Sequence, residues 1–101
     1  MTRFLIVLAT LLAAAPAWAQ SADAQLVREI CLAEARARSV DIGATNVALA
    51  TVRRLDATAG GTGRLEAAVV LATRAGGQER TARRQLTCET RDGQVVSFRM
   101  D

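Results

Sequence analysis

Few side chains in this sequence could carry covalent or metal chemistry. The chain contains no histidine and no lysine, so it lacks Ser–His and Cys–His nucleophile pairs, histidine metal ligands and a Schiff-base lysine. Its two cysteines, Cys31 and Cys88, are 57 positions apart, whereas redox enzymes and zinc sites use the C-x-x-C spacing. We therefore expect no bound metal, no cofactor and no nucleophilic catalysis.

Carboxylates are the remaining candidates, because a pair of them can perform acid–base catalysis without histidine. In this sequence they are scattered over turns, helix and strands, and no spacing brings two of them together. Apart from Asp101 they are Asp23, Glu29, Glu34, Asp41, Asp56, Glu66, Glu79, Glu89 and Asp92. We predict a protein without enzymatic activity. The alternative is a hydrolase whose fold gathers two of these acids in one cleft.

The first nineteen residues are typical of a secretory signal peptide. A single positive charge, Arg3, precedes the apolar run 4–15, and Ala17 and Ala19 form an A-x-A cleavage motif. We predict cleavage between Ala19 and Gln20 and a periplasmic or secreted protein. No stable membrane anchor is expected after cleavage, since a spanning helix needs roughly 20 apolar residues. The alternative is a buried N-terminal helix of the folded domain.

The predicted mature chain, residues 20–101, is long enough for one small domain. Such a domain buries only ~60–65% of its unfolded surface, so a covalent crosslink is a useful source of stability. In an oxidising compartment we expect Cys31 and Cys88 to form a disulfide, and a reduced pair is the alternative. The chain-entropy model assigns roughly 4 kcal/mol to a loop of this length.

The charge of the predicted mature chain is nearly balanced. Once Arg3 is removed, twelve arginines stand against ten acidic residues, a net charge of +2. Phe98 is the only aromatic residue in the predicted mature chain, because Phe4 and Trp18 belong to the predicted signal peptide. A balanced surface without aromatic side chains for stacking is a poor nucleic-acid binder, so we expect no nucleic-acid partner.

Hydrophobic periodicity predicts one amphipathic helix followed by four strands. The helix covers residues 22–39, and the strands cover residues 46–55, 64–74, 78–90 and 95–100. Short glycine-containing turns join the strands, so the simplest arrangement is a three- to four-stranded antiparallel meander. The predicted fold class is α+β, with the helix packed on the sheet and tied to it by the disulfide.

Strand alternation assigns one face of the sheet to the helix. The residues expected on this core face are Val47, Leu49, Leu65, Val69, Leu71, Leu86, Cys88 and Phe98. Glu34 falls within the apolar stripe of the helix. We expect its carboxylate either to reach solvent at the rim or to pair with an arginine of the sheet, Arg84 being the candidate.

The opposite face is predicted to be smooth and apolar, with arginine at its margin. It carries Ala48, Ala50, Val52, Ala68, Val70, Ala72 and Val95, fringed by Arg54, Arg83 and Arg99. Because interfaces combine an apolar centre with arginine, this face is the candidate binding surface for a partner or a second copy. The alternative is a solvated face of small residues. A register shift of one residue would exchange the two faces.

The segment Arg91-Asp92-Gly93-Gln94-Val95-Val96 resembles the D-x-x-[TD]-G-x-V hairpin signature of PepSY-type modules, which are small exported helix-plus-sheet domains. Cys31 in the helix and Cys88 before a D-G-x-V hairpin are also similar to a group of small exported bacterial proteins of unknown function. The PepSY resemblance implies a role in restraining proteases, with no catalytic residues.

These patterns together predict a non-catalytic periplasmic binding or inhibitor-like module that acts through a face or edge of its sheet. The expected partner is an envelope protein or a second copy of the chain. The alternative is a structural or assembly protein of the envelope that works as a homodimer.

Overall fold

The computed structural model describes residues 15–101, with side chains from Ala22 onwards. One helix and one 3₁₀ turn (Val40–Ile42) precede a four-stranded sheet. The helix and strands are α1 (Ala15–Ser39), β1 (Ala44–Thr58), β2 (Thr62–Ala75), β3 (Gln78–Arg91) and β4 (Gln94–Met100). Most of the predicted signal peptide lies outside the described residues, and its cleavage stays a prediction.

Helix α1 ends at Ser39 as predicted but begins at Ala15, seven residues before the predicted start. Its buried side chains recur every fourth residue, at Val27, Cys31, Ala35 and Ser39. This spacing places them in one stripe along the helix, which is the stripe that packs on the sheet. Among the described residues, no helix is long and apolar enough to cross a membrane.

The sheet is the predicted antiparallel meander, with strand order β1-β2-β3-β4. Gly76-Gly77 and Asp92-Gly93 form its two predicted tight turns, and all four residues have positive φ. Two consecutive positive-φ residues are the requirement of the type I′ hairpin turn, which explains the glycines. The first turn is shorter than the predicted segment 56–63, because β1 and β2 extend to leave only residues 59–61 between them.

The hydrophobic core lies between α1 and one face of the sheet, as predicted. Six of the predicted core residues are buried, and Leu49 and Phe98 pack against them as half-buried neighbours. The six are Val47, Leu65, Val69, Leu71, Leu86 and Cys88. The Cys31–Cys88 disulfide is present and joins α1 to β3, with a Cα–Cα distance of 5.9 Å.

Glu34 does not pair with Arg84. Its carboxylate accepts a hydrogen bond from Arg38 Nε at 3.3 Å, one turn along α1, and Arg84 is exposed on β3. The Arg38 guanidinium also lies over the Phe98 ring, 4.4 Å from its centroid. The predicted sheet partner is wrong because an arginine four residues away on the same helix is already within reach.

Candidate functional site

The face of the sheet opposite α1, here called the outer face, has two halves with different chemistry. Cross-strand pairing places five small or aliphatic side chains of β1 and β2 next to one another, in three neighbouring rows across the two strands. We call this set the small-residue patch: Ala48, Thr51, Ala68, Val70 and Ala72. The other half carries charges of alternating sign on all four strands: Arg54, Asp56, Arg64, Glu66, Glu89 and Arg99.

Three residues of the predicted binding face form one row across the patch. Ala48 of β1 pairs with Val70 of β2, and Val70 pairs with Arg83 of β3. Ala48 and Arg83 are exposed, and Val70 is half-buried. Ala68 and Ala72 lie on the same face but are only 2% and 8% exposed, so the exposed surface of the patch comes mainly from Ala48, Thr51 and Val70.

Two bulges in β1 change the predicted membership of the outer face. The β1–β2 register shifts between Leu49 and Thr51 and again between Val52 and Arg54. Ala50 is therefore left without a cross-strand partner, and Val52 pairs with Ala67 on the helix side of the sheet. Each bulge inserts one extra residue, which reverses the alternation beyond it. After the second bulge the alternation returns to the predicted phase, and Arg54 faces outwards as predicted.

A register shift between β3 and β4 moves Val95, which was also predicted on the outer face. The β3–β4 register shifts between Glu89 and Thr90, where Val96 is the extra residue. Val95 pairs with Thr90 and packs against the core, while Val96 is exposed. The prediction for Val95 is therefore wrong for the same reason as that for Val52.

The arginines at the margin of the outer face differ in their partners. Arg54 Nε lies 3.0 Å from Asp56 Oδ2, and its Nη1 lies 3.9 Å from Glu66 Oε2. Arg99 Nε lies 3.0 Å from Asp101 Oδ2. Among the described residues no ion pair involves Arg83. The arginine next to the patch is thus the one whose charge is open to a partner.

Arg53 is a residue of this face that the sequence analysis missed. Its Nη1 donates to Gln85 Oε1 on β3 at 3.5 Å. Gln85 pairs with Ala68 on β2, so the Arg53 side chain crosses the outer face above that alanine. The Arg53 side chain points to the outer face only because β1 bulges at this residue, and no periodicity in the sequence marks the bulge.

The edge of β3 is incomplete in the described part of the chain. β4 pairs with β3 from Leu86 to Arg91, and two backbone bonds join Gln85 to Asp101 at 2.9 and 3.0 Å. Residues 78–84 of β3 pair with β2 on one side and with no described strand on the other. Seven residues of β3 therefore form an open edge.

Two hollows in the described part of the chain are small. One hollow of about 180 Å³ lies beside the 3₁₀ turn, between Arg36 and Val47, and another of about 230 Å³ lies between Arg64 and Val96. Both are below the roughly 300 Å³ at which small-molecule sites begin. No cluster of three or more potential metal ligands occurs among residues 15–101. The surface features that remain are the patch and the open edge.

Comparison with family models, with curated proteins and with solved structures found no match to this chain.

Proposed function

We propose that this protein is an exported, non-catalytic binding module that receives an envelope protein on its small-residue patch. The disulfide between α1 and β3 supports an oxidising location, because such bonds persist outside the cytosol. The inhibitor-like role implied by the PepSY resemblance is one form that such binding would take. The proposal assigns no step to a catalytic residue.

The observation that carries the proposal is the row formed by Ala48, Val70 and Arg83. The helix packs on the other face of the sheet, and no described element covers this row. An apolar row next to an unpaired arginine has the composition of a protein interface. Burial of small side chains costs little side-chain conformational entropy. The patch residues would therefore add only a small entropic penalty to the binding of a partner.

Chemical cross-linking in a native envelope extract tests this proposal. The oxidised protein is the bait, and Ala48→Glu and Val70→Glu place a carboxylate inside the patch. We expect these variants to lose the partner that the unchanged protein captures, because an unpaired charge in an apolar interface is costly. Ala37→Glu and Val40→Glu are the matched controls, since both positions are exposed and lie outside the sheet.

Loss of capture by all four variants would show that added negative charge, and not the patch, is responsible. Retention of the partner by Ala48→Glu and Val70→Glu would remove the patch from the interface. Either outcome would overturn the proposal.

A further inference from the structure

The open edge of β3 is regular along its whole length. From Gly63 to Ala75, every residue of β2 pairs with β3 in one uninterrupted register, with no bulge. Gln85 directs its N–H and C=O towards β4, where both bond to Asp101. Since backbone groups alternate in direction along a strand, Glu79, Thr81 and Arg83 direct theirs towards the open side. Such an edge is a template for another strand.

We propose that this edge pairs with the same edge of a second copy of the chain. The two β3 strands would run antiparallel about a two-fold axis at Thr81, joining two four-stranded sheets into one of eight strands. The proposal goes beyond the binding of an envelope protein and depends on different residues, except for Arg83.

The length of the open edge fits a second copy. It is bounded at one end by the Gln85–Asp101 pair and at the other by the Gly76-Gly77 turn. An axis at Thr81 sets residue 78 of one copy opposite residue 84 of the other. The seven open residues of each copy therefore fill the seven open positions of the other. Isologous contacts of this kind close after two subunits.

The charges of the open edge are self-complementary in this register. Glu79 of each copy lies opposite Arg83 of the other, and the two Thr81 residues face each other. Opposite charges at directly paired positions stabilise a sheet, and like charges destabilise it. A shift of two residues in either direction separates Glu79 from Arg83, so the charges select the register centred on Thr81.

The helix side of the same edge carries Arg80 and Arg84, which weaken the pairing without preventing it. In the proposed register Arg80 lies opposite Ala82, and Arg84 lies opposite Gln78. No arginine therefore faces another directly. The arginines of the two copies are instead diagonal neighbours, roughly 7–8 Å apart. Salt screens the repulsion that remains between them.

Two charge-reversal variants test the register. Glu79→Arg places arginine opposite arginine at both ends of the dimer, and Arg83→Glu places glutamate opposite glutamate. We expect the unchanged protein to be a dimer at about 100 µM in sedimentation equilibrium and each variant alone to dissociate at least about tenfold more readily. An equimolar mixture of the two variants restores opposite charges at both positions, so we expect it to form a heterodimer.

Backbone pairing is tested separately by Thr81→Pro, which removes an N–H that bonds only across the edge. We expect it to abolish the dimer, while Thr81→Val, which keeps that N–H, does not. Circular dichroism of both variants checks that the fold is retained. A protein that stays monomeric, a dimer that survives both single reversals, or a mixture that stays monomeric would overturn the proposal. Binding of a glutamate-rich peptide to a monomer, lost in Arg83→Glu, would assign the edge to an acidic partner instead.

Discussion

The two ends of the sheet are built differently. At one end the β1–β2 and β3–β4 turns touch each other: Gly93 N donates to Gly61 O at 3.1 Å, and Asp92 N donates to Thr62 Oγ1 at 3.0 Å. The disulfide holds α1 over this half of the sheet. At the other end β2 and β3 continue past β1 and β4 as a short hairpin arm, residues 74–79, in which every residue is exposed.

The packed end of the sheet therefore contributes to the stability of the fold, and the arm is available for interaction with a partner. Side chains, turns and a covalent bond surround the packed end, so a change there alters the free energy of unfolding. The arm makes few contacts beyond its own ladder, so its exposed backbone and charges are free for a partner. An arm of two strands alone would be marginal in water, and β2 and β3 are held in register because they continue into the core.

The largest expected effect is loss of the disulfide. The double variant Cys31→Ala/Cys88→Ala should lower the free energy of unfolding by about 4 kcal/mol, because the unfolded chain gains the entropy of a long open loop. That is a large share of the roughly 5–15 kcal/mol that stabilises a typical domain. Urea unfolding followed by circular dichroism measures the loss.

A reducing agent provides the matched control for this prediction. It should destabilise the unchanged protein by a similar amount and leave the double variant unaffected. If the double variant unfolded at the same urea concentration as the unchanged protein, the packed end would not depend on its covalent bond, and the contrast between the two ends would lose its main support.

The sequence correctly predicted the helix and the tight turns, because each of them is marked by a strong local pattern of residues. The apolar spacing of Leu26, Val27, Ile30, Cys31, Ala33 and Ala37 predicts the helix, and the Gly76-Gly77 and Asp92-Gly93 pairs predict the turns. Leu26, Ala33 and Ala37 are nevertheless exposed, and the buried stripe is Val27, Cys31 and Ala35. The strand order follows from the short turns. These features were confirmed because each depends on local residues or on neighbours in the sequence.

The bulges could not be predicted, and they are the reason that Val52 and Val95 were misplaced and that Ala50 has no cross-strand partner. From Ala50 to Val52 β1 carries only alanine, threonine and valine, so a one-residue shift there exposes little apolar surface and meets little resistance.

A glycine substitution at each end sharpens the comparison. Gly63 has an ordinary φ, yet a Cβ there would overlap Asp56 O and come within 3.0 Å of Ala57 Cα and of Val27 Cγ2. Since two of these atoms belong to the β1 backbone, Gly63→Ala should force the strands apart and cost about 3 kcal/mol. Thermal unfolding of the purified variant measures the cost.

The matched variant on the arm is Gly76→Ala. No atom lies within 4 Å of the added Cβ, and the cost comes from its φ of 60° alone, about 1 kcal/mol. Equal losses for the two variants would mean that backbone strain, and not packing, decides both, and the packed end would then be no tighter than the arm.

The smallest expected difference concerns two arginines on the helix side of the molecule. Arg38→Ala removes both the contact with the Phe98 ring and the ion pair with Glu34, and it should cost about 0.5–1 kcal/mol. Arg84→Ala, on the open part of β3, should change the free energy of unfolding by less than about 0.5 kcal/mol. Urea unfolding of both variants at low and high salt measures the difference. Because part of the Arg38 contribution is the exposed ion pair, it should shrink in salt. A larger loss for Arg84 than for Arg38 would show that the open part of β3 is packed and that its edge is not free to receive a second copy.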